Sequence, residues 1–360
     1  MIEEDTLVIG TSPIMLCQAI RLRRGGRRVT VMDSGHEIGG AWATTSLFGY
    51  QDVEQAVHLL ENRARTHSIL DGEIGIPLAP EIGSFGVLAT RRTNLNVARL
   101  LSFSGSSVRA FARYDRPRIS RGVRSSIQAA RNWRVPFLYP PRGSKQILDA
   151  LRGICEAASI SLEFDQTIKR LEIDRDGSTV GVVCSESDRV FRTVVISSRA
   201  HAELRVDGVE VKRDADESLT RSIVLHCDGG GTPDLGYVEV IGDTILRRVR
   251  NIGRFTTPTP REENTLLCVQ IRERNPKLPR MDPDITAERV VRRLIELAIV
   301  PRTCRLLAYE TKEYAHSTIP AGRLKSIGRI DRDRLLVVES TDFSEGLAAP
   351  LSESSTALNP

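Results

Sequence analysis

The hydrophobic pattern changes period along this chain, and each change marks an element. Thr6-Leu7-Val8-Ile9 is a short continuous apolar run, the pattern of a parallel strand buried on both faces. Gly10 ends it. Met15, Ala19 and Leu22, together with Leu16 and Ile20, then recur at helical spacing. Ser12 before Pro13 reads as an N-cap followed by proline at the first helical position, and Gly25-Gly26 reads as the stop. From Arg27 to Met32 the pattern alternates, with Val29 and Val31 on one side, and Asp33 closes this second strand 23 residues after Gly10. The opening is therefore a βαβ unit of the dinucleotide-binding type.

Further on, a helix is expected over 145–157, strands over 161–174 and 192–198, and strands at 222–226 and 237–241. One helical run covers 285–298. Two more cover 97–112, interrupted by Ser104-Gly105-Ser106, and 121–133. The expected fold is α/β: a Rossmann-like dinucleotide-binding domain with a parallel sheet, plus an inserted α+β substrate domain. The nucleotide-binding part is assigned to 1–66, 136–210 and 305–360, and the substrate or cap part to 67–135 and 211–304. No internal repeat is visible, and the serine-rich tail 350–360 reads as a loop.

Composition narrows the choices. The chain has 360 residues, 40% hydrophobic and 27% charged, an ordinary globular balance. It has no run of 18 apolar residues, so no membrane-spanning helix is expected. The acidic start Met1-Ile2-Glu3-Glu4-Asp5 lacks a basic leader, which makes a cytoplasmic location the default expectation. The net charge is +5, yet aromatics are only 5% and the arginines are spread along the whole chain, which argues against nucleic acid as a partner. Cys17, Cys155, Cys184, Cys227, Cys268 and Cys304 show no two-residue spacing, so neither a metal knuckle nor a redox dithiol motif is written here, and no metal is expected. There is no G-x-S-x-G elbow, no H-E-x-x-H pair and no Walker loop; any chemistry would belong to a cofactor.

The opening unit has a mechanism for holding one. A helix N-terminus offers unbonded amides and partial positive charge to a pyrophosphate, and a carboxylate ending the second strand accepts hydrogen bonds from a ribose. Gly39-Gly40 adds backbone without side chains where a phosphate or ribityl chain can approach. The three glycine positions of the dinucleotide pattern hold Gly10, Ser12 and Met15; serine can still cap and face phosphate, whereas methionine implies wider helix–strand spacing or a shifted dinucleotide. The densest basic patch is Arg247-Arg248-Val249-Arg250 with Arg254. On a strand, Arg248 and Arg250 share a face, either as a clamp for a diphosphate or as a solvated surface.

The stretch from Val8-Ile9-Gly10 through Asp33-Ser34-Gly35 to Gly39-Gly40-Ala41-Trp42 resembles the opening of the glutathione-reductase-type flavoproteins, and most closely the branch of amine oxidases, phytoene-desaturase-like enzymes and UDP-galactopyranose mutase. Tyr139-Pro140-Pro141-Arg142-Gly143-Ser144 before a helix, and Arg192-Thr193-Val194-Val195-Ile196, resemble two further blocks of that group; the matches cover about a third of the chain. The resemblance implies FAD, held by Gly10, Ser12, Pro13, Asp33, Ser34, Gly39, Gly40, Ala41 and Trp42, with the backbone near Ile168 meeting adenine. Ala56-Val57-His58-Leu59-Leu60 is similar to the G-A-H-I-F segment beside the flavin of the mutase, which makes His58 a candidate donor or acid/base. Tyr309-Glu310-Thr311-Lys312-Glu313-Tyr314 is similar to its T-K-E-Y-P strand, which makes Tyr314 a candidate substrate contact. The group's C-terminal Gly-Asp or Gly-Arg pair is missing after 334–338; Asp342 or Glu345-Gly346 stands in its place. The implied function is an FAD-dependent oxidoreductase passing hydride from a small substrate to flavin N5, or a mutase-like flavin reaction on a nucleotide sugar. The other reading is a non-catalytic nucleotide-binding or scaffold protein that kept the fold.

Overall fold

The computed structural model describes residues 3–58, 60–61, 64–80, 84–89, 94–96, 118–120, 137–174, 177–197, 202–211, 218–229, 235–241, 243–261, 263–271, 286–316 and 334–338. Two sheets organise them. The first has Glu3–Ile9 at its centre, parallel to Val29–Met32 on one side and to Asp188–Ser197 on the other. Ser161–Glu163 extends it beyond Val29–Met32, and Leu335–Val338 pairs in parallel with the second half of Asp188–Ser197. The first half of that long strand pairs instead with Val180–Cys184, which returns antiparallel to Ile168–Ile173. One strand thus serves both a parallel sheet and an antiparallel meander.

The unbroken apolar runs now have a cause. Val8, Val31 and Val195 lie in one cluster with the helices Pro13–Arg24 and Gly143–Ala157. Leu7, Met32, Val194 and Ile196 lie in another with Leu171, Val180 and Phe191 of the meander. A strand covered on both faces has no polar side to alternate with. The first helix stops as its glycines dictate: Gly25 N–H bonds Arg21 O, and Gly26 turns the chain at φ +87°.

The second sheet runs in the order Arg305–His316, Ser218–Asp228, Asn264–Ile271, Leu246–Asn251, Leu235–Ile241, Ser84–Ala89. Here the period of two is clean. Ile223, Leu225, Leu267 and Val269 pack against the helix Ala287–Glu296, while Val224, Leu266 and Cys268 face Val53 of a small hairpin. That helix begins as its sequence suggests, with the Thr286 hydroxyl accepting from Arg289 N–H at 3.3 Å.

The strand Arg305–His316, which the sequence places with the nucleotide-binding part, is hydrogen-bonded along Ser218–Asp228 and so belongs to the second sheet. Its local sequence pattern gives no sign of which sheet it joins. The helical expectations over 97–112 and 121–133, Asp342, Glu345-Gly346 and the tail lie outside the described residues. Among the described residues no helix is long and apolar enough to cross a membrane, and no group of histidine, cysteine and acidic side chains is arranged to hold a metal.

Candidate functional site

Three stretches of backbone meet where the first helix begins. Gly10 turns at φ +99° and its N–H bonds Met32 O at 2.7 Å, which ties the end of the first strand to the second. Thr11, 1% exposed, then donates twice to Asp33 Oδ2, through its N–H at 2.7 Å and its hydroxyl at 2.6 Å. The same hydroxyl oxygen accepts from Gly39 N–H at 3.1 Å. Asp33 Oδ1 accepts from Gly35 N–H at 2.8 Å. Asp33 is half-buried, and an ionised carboxylate has about four acceptor positions, so room remains for a ligand hydroxyl.

The helix start is open to an anion. Ser12 occupies the N-cap position, but contrary to the sequence expectation its side chain makes no capping hydrogen bond; Pro13 follows it, and the first turn holds no acidic residue. Over this end lies the glycine pair. Gly39 turns at φ +127°, where a Cβ would lie 2.7 Å from Leu148 Cδ1 and 2.8 Å from Ala43 N, so only glycine fits. A Cβ on Gly40 would reach ordinary contact with Ser12, 3.8 Å from its N. Met15 is 2% exposed within the core cluster, its Cγ 3.9 Å from where a Gly10 side chain would begin. It fills the space that a third glycine would leave between turn and helix. Ser34 is exposed. Gln166 N–H bonds Asp33 O at 2.9 Å, which brings the start of Ile168–Ile173 beside the carboxylate; Ile168 is half-buried against the meander cluster. These donors and side-chain-free turns fit a dinucleotide's pyrophosphate, and Asp33 fits its ribose.

Comparison with solved structures gives the same architecture over nearly the whole chain. A reduced UDP-galactopyranose mutase matches with a TM-score of 0.64 and 11% identity, covering 99% of this chain and 96% of that one. A fatty acid isomerase from P. acnes matches at 0.60 with 11% identity over 99% of both chains. A wild-type putrescine oxidase bound to putrescine matches at 0.59 with 11% identity over 94% of both. The chain shares the fold of these three proteins. No protein-family model and no curated protein matches the sequence.

In this fold, the loop after the glycine pair reaches the second sheet through a stack of rings. His58 lies flat on Trp42, centroids 4.0 Å apart and planes within 10°, and its Nε2 sits 2.7 Å from Ala41 O. A carbonyl only accepts, so Nε2 carries the proton. Burial pushes the His58 pKa down to about 4; the Ala41 bond opposes this, while Arg250 and Arg248 add to it. At neutral pH the imidazole is neutral and engaged with backbone.

Beyond it lies a buried node that sequence reading missed. Glu54, 1% exposed, accepts from Ser144 N–H at 2.7 Å, Tyr139 Oη–H at 3.2 Å and Arg250 at 3.0 Å. Arg250, 0% exposed, also donates to His58 O at 2.8 Å and lies over the Tyr139 ring, 4.0 Å from its centroid. Gly143, at φ +71°, cannot carry a Cβ, which would lie 2.6 Å from Glu54 Oε1. Arg250 and Arg248 do share a face, and the Arg250 charge is answered by Glu54 inside the protein. The missed signal is Glu54 itself, an acid ending the hairpin strand Tyr50–Glu54, indistinguishable in sequence from a surface residue. Tyr314 sits opposite Thr220 in the strand register; its side chain is outside the described part.

Proposed function

We propose that this chain binds FAD at the Gly10–Asp33–Gly39 corner and is an FAD-dependent oxidoreductase acting on a small molecule. The observation that carries this reading is the Thr11–Asp33 pair. It fixes an anionic acceptor beside an open helix N-terminus, at the point where a flavin dinucleotide places its ribose and pyrophosphate. The amides of the first turn and of Gly40 hold the pyrophosphate, Gly39 gives the side-chain-free turn beside it, and Asp33 holds a ribose hydroxyl. Trp42 and His58 form a rigid wall next to the glycine pair, with His58 as a positioning residue. Bound FAD supplies a hydride acceptor for a substrate C–H next to nitrogen or oxygen. The second sheet covers the substrate side.

The test is direct. Purified protein is expected to be yellow, with absorption near ~370 and ~450 nm from the flavin that carries the chemistry, and added FAD is expected to raise Tm. Asp33→Ala is expected to weaken FAD by about tenfold or more, the usual loss for a hydrogen bond to a charged group. Colourless protein whose Tm ignores FAD would overturn the proposal and leave the scaffold reading.

A further inference from the structure

The register of the second sheet lines up five polar residues in one row. Lys312 stands opposite Ser222, Ser222 opposite Gln270, Gln270 opposite Arg248, and Arg248 opposite Glu239. Residues directly opposite one another share a sheet face. Two residues along, the same face carries Val224, Cys268 and Arg250, the positions that pack on Val53 and reach Glu54. The row therefore faces the nucleotide-binding part. Lys312 Nζ donates across the gap to Gln55 Oε1 at 2.7 Å, and Arg248 lies near enough to His58 to add to the lowering of its pKa.

Three atoms of the row are buried without a hydrogen-bonding partner among the described residues: Ser222 Oγ, Gln270 Oε1 and Arg248 Nε. Ser222 is 1% exposed. A buried donor or acceptor left unmet destabilises a fold, and three neighbours in that state need a reason. Structural necessity is not one, since the adjacent row is filled by Val224 and Cys268.

We infer that this row is the ligand-recognising part of the substrate site, and that it takes a small organic oxyanion bearing a neighbouring hydroxyl or amino group. Arg248 and Ser222 donate to a carboxylate or phosphate oxygen, and Gln270 Oε1 accepts from the neighbouring O–H or N–H. The formal charges of Lys312, Arg248 and Glu239 leave one net positive charge, which suits a monoanion. Only the word substrate rests on the flavoenzyme reading; the binding itself does not require FAD.

The experiment is a thermal-shift titration of the full chain with glycolate, acetate, inorganic phosphate and, as a cation, ethylammonium, with flavin absorbance recorded on the same samples. An oxyanion is expected to raise Tm and ethylammonium to leave it unchanged. Glycolate over phosphate would mark a hydroxy- or amino-acid-like ligand, and the reverse a phosphorylated one. Arg248→Gln is expected to weaken the bound anion by about tenfold or more, Arg248→Lys to recover part of it, and Arg292→Gln, on the exposed face of the helix Ala287–Glu296, to change nothing. Ser222→Ala is expected to raise the ligand-free Tm while shrinking the anion-induced shift, a combination a merely structural serine would not give. If no oxyanion shifts Tm, or Arg248→Gln and Arg292→Gln respond alike, the inference falls even when the flavin spectrum is intact. An anion response in colourless protein would keep the row and discard the flavoenzyme.

Discussion

Thr11 holds Asp33 in place from two directions and receives Gly39 on the same oxygen. Thr11→Val keeps the shape and removes the hydroxyl, so it tests that single atom. It is expected to cost about 1 kcal/mol of stability, the usual net value of such a bond, and to weaken FAD because the carboxylate and the glycine pair lose their common tether. Denaturant unfolding and FAD titration on one preparation check both. His58 gives a pH prediction. Its folded pKa, about 4, is below the ordinary value of 6.5, so the folded state prefers the neutral ring. The associated stability is fully present above pH 6.5 and is lost as pH falls toward 4. In a His58→Gln variant the fall in Tm between those pH values should be smaller than in the parent; an unchanged profile would show that His58 does not titrate with folding.

The element that decides the site is the helix Gly143–Ala157. Its first amide residues close over Glu54, Ser144 N–H donating to the carboxylate while Gly143 leaves space for it. Gly143→Ala is expected to destabilise by about 1 kcal/mol or more, since φ is positive there and the added carbon has no room. Chemical denaturation measures this. In sequence, Gly143 before a helix is visible as a turn signal, but the need for it comes from Glu54, nearly ninety positions earlier. The same asymmetry applies at the first helix. Its limits follow from Pro13 and Gly25-Gly26, which act locally, whereas Ser12 reads as a capping residue and does not cap. A hydroxyl caps only if its rotamer points inward, and the loop of Gly39 and Gly40 above it is a tertiary neighbour.

At the scale of the molecule, the Glu54–Arg250 pair joins the hairpin of one part to the second sheet of the other, with no exposed surface on either side chain to speak of. Removing one partner strands the other charge. Glu54→Gln is therefore expected to cost about 3–5 kcal/mol. The double variant Glu54→Gln, Arg250→Met is expected to lose less than the sum of the singles by about 1 kcal/mol or more, as coupled neighbours do. Additive losses in a double-mutant cycle would show that the pair does not link the hairpin to the second sheet.

The sequence by itself determined the βαβ opening, the acid at the end of the second strand, the glycine pair and the period-two strands of the second sheet, because each depends on neighbours within a turn or a strand. Only the tertiary structure decided that Arg250 pairs with Glu54 inside the protein, that Thr11 is the residue holding Asp33, and that Arg305–His316 joins the second sheet. Those outcomes depend on which distant segment supplies the partner for a charge, a hydroxyl or a strand edge, and local patterning leaves that choice open.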